Sequence, residues 1–140
     1  MTEEQIKKKE WLNRAYYADK KLIALCEERK KNRDLATRIT TYYGGSEKGK
    51  CDSHANGVET SIARLTEIDE KLELQIKNTV DVRCQISDAI GDIRNDELQA
   101  VLIHRYLNFS TIEDIADVMN YSVSTVKRIL SEAIDNVEPF

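Results

Sequence analysis

The sequence predicts an all-α protein, with a long N-terminal helical hairpin or coiled coil over residues 1–94 and a three-helix, helix-turn-helix module over residues 95–140. Three observations predict it. Leu, Ile, Ala, Glu and Lys are prominent in 140 residues that hold one Pro and five Gly, a composition of long helices. No Gly or Pro occurs between Thr2 and Tyr42, so nothing there stops a helix. After Asn95, short apolar stripes at helical spacing each follow a capping residue.

The first helix is expected to run from Thr2 to Tyr42, with Leu12, Ala15, Leu22, Cys26 and Ala36 on one side and Trp11, Tyr16, Ile23 and Ile39 beside them. Glu27 to Arg33 is almost wholly polar, which predicts a solvated stretch or one covered by a partner. Residues 43–57 concentrate glycines among small polar residues and read as a flexible loop. A second long helix should begin near Asn56, capped with Glu59 at its third position. It carries a seam with steps of four and three: Val58, Ile62, Leu65, Asp69, Leu72, Ile76, Thr79, Arg83, Ile86, Ile90 and Ile93. Such a heptad repeat predicts a left-handed coiled coil or helical hairpin, in which the first helix folds back on the second or two chains pair as a homodimer. Asp69, Thr79 and Arg83 interrupt the seam, either where a partner helix has splayed or as polar residues that fix register.

In the C-terminal module Asn95 caps a helix that buries Leu98, Val101, Leu102 and Tyr106, and Asn108 with Phe109 ends it. Ser110 and Glu113 form a capping box for a helix of barely two turns, with Ile112, Ile115, Ala116 and Met119 inward. A third helix follows Ser122 and turns Val126, Ile129, Leu130, Ala133, Ile134 and Val137 to the core. Asn120 and Tyr121 lie between them, and Asn is the non-glycine residue that best tolerates the left-handed corner of such a turn. Small Ala116 stands where the two helices touch, and Tyr121 falls on an apolar position of the pattern. If the third helix enters a major groove, its outward residues Val123, Ser124, Thr125, Lys127, Arg128 and Ser131 face the bases, and Ser122 with the helix N-terminus meets phosphate. Arg128 suits a bidentate contact to guanine, Val123 a thymine methyl, and Lys127 a phosphate or a base.

Charge is unevenly spread. Residues 1–50 hold 13 Lys/Arg against 8 Asp/Glu, residues 51–95 hold 5 against 9, and residues 96–140 hold 3 against 8. The acidic module opposes a DNA partner, since Lys and Arg supply most non-specific affinity; a basic N-terminal arm can pack on the acidic segment, stay solvated, or add phosphate contacts of its own. No catalytic triad, phosphate-cradling Gly loop or pair of catalytic carboxylates is present, and His54 and His104 lack nucleophile partners. The expectation is therefore a non-enzyme without a cofactor. Cys51 and His54 make a lone pair that is weak as a metal site, and three cysteines at wide spacing suit reduced thiols. No signal segment or apolar span is seen, which predicts a soluble, cytoplasmic protein without a membrane partner.

The stretch from Ser110 to Ile134, STIEDIADVMNYSVSTVKRILSEAI, resembles region 4 of bacterial sigma factors. With Ile103-His104-Arg105-Tyr106 before it and helices upstream, the chain looks like the small sigma-like late transcription regulators of bacteriophages and prophages of Gram-positive bacteria. The resemblance is specific over the module and only architectural over residues 1–94. It implies a sequence-specific transcription regulator that activates late genes by binding promoter DNA, with RNA polymerase as a second partner. Region 4 usually places Arg and Glu just after the cap, whereas this chain has Val123 and Ser124, so the family's promoter readout does not carry over. Two alternatives remain: a small terminase subunit recognising phage DNA for packaging, and a protein adaptor acting on RNA polymerase.

Overall fold

The structure, a computed structural model, describes residues 2–44 and 52–139, apart from the side chains of residues 39–44, 52–58 and 61. Among the described residues there are helices and no strands. Helix α1 spans Glu3–Leu12, α2 Arg14–Gly44, α3 Asp52–Gly91, α4 Asp96–Leu102, α5 Ile112–Met119 and α6 Val123–Asn136, with a π-helical turn at Ile103–Leu107 continuing α4.

The expected single helix from Thr2 to Tyr42 is two. Thr2 caps α1 in a reciprocal box with Gln5, and α1 ends at Asn13, whose N–H bonds to the Lys9 carbonyl at 2.9 Å before α2 starts. On α2 Ala15 and Ala18 are buried, and beyond Asp19 the less exposed positions are Leu22, Leu25, Arg29, Asn32 and Ala36. Cys26, expected on the inner side, is exposed, one position out of phase with Leu25. Cys26 and Cys84 are free thiols. The described part of the loop region is helical: α2 reaches Gly44 and α3 begins at Asp52, so Asn56 lies inside α3 rather than capping it. Residues 45–51, and with Cys51 and the His54 side chain the lone Cys-His pair, lie outside the described residues.

Burial on α3 corrects the seam. Ile68, Leu72, Gln75, Thr79, Val82, Ile86, Ile90 and Ile93 are buried, whereas Ile62 and Ile76 are 57% and 50% exposed and Asp69 is exposed. Positions Leu65, Leu72, Thr79, Ile86, Ile90 and Ile93 belong to both stripes; the remaining ones shift by one residue, from 69, 76 and 83 to 68, 75 and 82. The 4-3 step is right, but a 3-4 alternation between the same anchors is equally helical. Asp69 and Arg83 therefore do not interrupt the seam. Thr79 does lie on it, and its hydroxyl donates to the Ala18 carbonyl at 3.5 Å.

The chain forms two compact units. One comprises residues 20–77, the larger parts of α2 and α3, where Arg29 pairs with Asp69 in a partly exposed ion pair. The other joins residues up to Asp19 with Asn78–Phe140. Its core runs without interruption from Leu12 and Ala15, through Val82, Ile86 and Ile90, to the buried faces of α4, α5 and α6. Compactness thus does not divide at residue 94. Between α3 and α4, the Gln99 amide donates to the carbonyls of Gly91 (3.3 Å) and Ile93, tying the link to α4.

The register of α3 is testable by truncation. Ile86→Ala, at a fully buried site, should cost about 2–5 kcal/mol, and Ile76→Ala no more than about 0.5 kcal/mol, in urea unfolding of the full chain. Equal losses would contradict the seam.

Candidate nucleic-acid interface

The module is built from three helices that cannot stand alone: α4 has 7 residues, α5 8 and α6 14, near or below the length at which isolated helices hold in water. Each start is capped. Asn95 accepts from the N–H groups of Glu97 (2.9 Å) and Leu98 (3.4 Å). Ser122 caps α6 by accepting from the Thr125 N–H at 3.2 Å, and its hydroxyl lies 2.8 Å from that of Thr125. For α5 the cap is Thr111, accepting from Asp114 N–H at 3.2 Å, and not Ser110 with Glu113.

Ser110 is occupied elsewhere. The π turn closes with Asn108 N–H on the Ile103 carbonyl and Ser110 N–H on that of His104, both 2.9 Å. Arg105 donates to the Ser110 carbonyl at 3.0 Å. Phe109 sits at φ 56, a left-handed backbone that costs a side-chain-bearing residue about 1–2 kcal/mol. It is held by Tyr16, edge-on at 5.6 Å between ring centroids, and by the Arg83 guanidinium 5.8 Å from its ring centre. Arg83 also donates to the Leu107 carbonyl at 2.9 Å. The residue read as a flaw in the seam is thus a clamp on the end of α4, a role that its spacing along α3 could not reveal.

The turn between α5 and α6 is the left-handed corner expected of Asn120, at φ 59 and ψ 42. The N–H of Tyr121 reaches back to the Ala116 carbonyl at 3.0 Å. Ile115 and Ala116 are buried, as are Val126, Ile129, Leu130, Ala133, Ile134 and Val137. Tyr121 departs from its expected apolar position: it is exposed. The Glu97 carboxylate that hydrogen-bonds it, together with that residue's charge, holds the phenol above its ordinary value of 10.0. The turn therefore rests on the backbone of Asn120 and not on a buried ring at 121.

Around α6 the inward stripe leaves an outward strip. Ser122, Val123, Ser124, Lys127, Arg128 and Ser131 are exposed and Thr125 is half-buried beside the cap. Ser131 is flanked by α1: Gln5 Nε2 donates to Asp135 Oδ1 at 2.6 Å and lies 3.5 Å from Ser131 Oγ, while the buried Lys8 ammonium donates to the Asp135 carbonyl at 3.0 Å and pairs with Glu4 at 3.3 Å. Packing of the basic N-terminal arm on the acidic segment is one of the readings that the charge pattern left open, and these contacts of α1 with Asp135 realise it.

Together these features define a helix-turn-helix. Residues 95–138 match the family model Sigma-70, region 4, a DNA-binding and non-catalytic module. No curated protein and no solved structure matches the chain. Among the described residues no helix is long and apolar enough to cross a membrane, and no cluster of His, Cys, Asp and Glu could hold a metal ion.

Two measurements check this geometry. Ala116→Leu should overpack the α5–α6 contact and cost about 1–3 kcal/mol in chemical denaturation. Burial raises the Tyr106 phenol above 10.0, against a smaller lowering by Arg105. A proton held more tightly in the folded state stabilises fully below the unfolded pKa, and that stability is lost as pH rises above about 10 through the folded value. Thermal melts of Tyr106→Phe should therefore lose less stability than wild type on passing from pH 9 to about 11.

Proposed function

We propose that this chain is a sequence-specific DNA-binding transcription regulator, and that α6 is the helix it inserts into the major groove. The observation that carries the reading is the exposed strip on α6, which follows a side-chain cap and a left-handed corner inside the segment matched to sigma region 4. On this reading Ser122 and the N-terminus of α6 meet a backbone phosphate. Val123 and Ser124 lie over the first bases, with the Val123 methyls against a thymine. Arg128 reads guanine, Lys127 and Ser131 work at the flank, and Thr125 mainly completes the cap. Val123 and Ser124 in place of the usual Arg and Glu give a target unlike the common promoter element.

The narrower reading rests on the resemblance to sigma-like phage regulators: activation of late genes in a bacterial cytoplasm, with RNA polymerase as the second partner. An acidic module favours that arrangement, because polymerase contacts offset weak autonomous DNA affinity. Homodimer formation would double the half-sites read.

Selection of duplexes from a random pool by the full chain, then footprinting with and without RNA polymerase, tests the reading. Arg128→Ala should fold normally and lose about 1–3 kcal/mol of discrimination at one base pair. An unchanged preference would remove Arg128 from the interface. Failure of the wild-type chain to bind any duplex at low salt would point to a protein adaptor.

A further inference from the structure

Beside the outward strip of α6 lies a cleft of about 410 Å³, walled by α1, the π turn and the flank of α6. Its lining includes Lys9, Arg105 and Lys127 with the neutral polar groups of Gln5, Asn13 and Ser131, and no carboxylate. Of the acids beside it, Glu4 pairs with Lys8, and Asp135 accepts from the Gln5 amide, which orients that carboxylate without neutralising it. Arg105 donates through Nη1 to the Ser110 carbonyl, which fixes the guanidinium without neutralising it. Three cations from three elements thus converge on one opening in a module that is otherwise acidic. Like charges held together repel, and an anion seated between them relieves that cost.

We infer that this cleft is a phosphate site for the DNA backbone, and that α1 extends the interface of the helix-turn-helix by bringing Lys9 alongside Lys127 and Arg105. The inference rests on the DNA-binding reading above and adds to it a contact from outside the matched segment. It is favoured by place and by charge. Lys127 and Ser131 belong both to the cleft and to the outward strip, so a duplex lying on the strip passes the mouth of the cleft. Residues 96–140 hold only 3 Lys/Arg against 8 Asp/Glu, and a cation imported on α1 answers that deficit.

The test uses the full chain and a duplex selected by it. Phosphate contacts set the salt slope without setting sequence preference. Lys9→Gln should therefore make the slope of log K against log salt shallower by about 0.9. It should weaken cognate and unrelated duplexes by the same factor, with Lys9→Arg restoring wild-type behaviour. Matching thermal melts show that the Lys9 variants fold, and Arg128→Ala serves as the contrast that alters preference. If wild type binds and Arg128→Ala loses discrimination while Lys9→Gln leaves slope and affinity unchanged, the cleft is no phosphate site and the DNA-binding reading stands. Tighter binding by Lys9→Gln would also overturn it, since α1 would then cover the interface. No binding by wild type removes both.

Discussion

One backbone conformation sets the direction of everything that follows it. At Asn120 the chain turns through the left-handed region, and because the Tyr121 N–H is bonded back to Ala116, α6 leaves α5 at an angle that the two helices cannot adjust independently. A left-handed residue ends a helix sharply, and Asn accepts that conformation at lower cost than residues without a short polar side chain. Ala116 then lets the helices approach, and the apolar stripe on α6 has one way to face the core. The outward strip is what remains. Its composition therefore follows from the turn and the core together, with Ser122 fixing where it begins.

The turn alone does not hold the module. Helices of 7 and 8 residues draw their stability from tertiary burial, and here the burial is shared with distant segments. Leu12 and Ala15 come from the N-terminus, Val82, Ile86 and Ile90 from the last turns of α3. Arg83 and Tyr16 brace the positive-φ Phe109 at the point where α4 gives way to α5. The helix-turn-helix is thus one side of a larger core. A fragment confined to residues 95–140 would expose the apolar surfaces that Leu12, Val82 and Ile86 cover, and would leave the Phe109 backbone without its supports.

The sequence was legible where local chemistry decides structure. Caps at Asn95 and Ser122, the left-handed residue at Asn120 and the inward faces of α4 and α6 are all set within a few residues of chain, and they read directly. Ser110 and Thr111 are both good caps for α5, and only the π turn, which uses the Ser110 backbone on both sides, decides for Thr111. On α3 the anchors Leu72, Thr79, Ile86 and Ile93 are common to two stripes one residue apart. Apolar Ile62 and Ile76 mark the outer one, whereas the buried side accepts Gln75 and Thr79. Periodicity fixes the pitch of a helix face but leaves its phase to the partner, and the partner is a matter of tertiary structure.

The same distinction bears on the charge pattern, which spoke against DNA when read along the chain. Segment totals assign each cation to the residues next to it in sequence, yet a field acts through space and falls off over about 10 Å at ordinary salt. Lys9 is far from Lys127 in sequence and lines the same cleft. Lys8, one residue earlier, is buried against Asp135 and Glu4 and so contributes little to the field outside. On the proposed reading a duplex meets the outward strip of α6 and the cleft beside it, whose lining carries Lys9, Arg105 and Lys127 and no carboxylate. The acidic total of residues 96–140 includes Glu113, Asp114 and Asp117 of α5 and Asp96 and Glu97 of α4, none of which lines the cleft. Affinity for a polyanion depends on that arrangement, and an acidic isoelectric point is compatible with it.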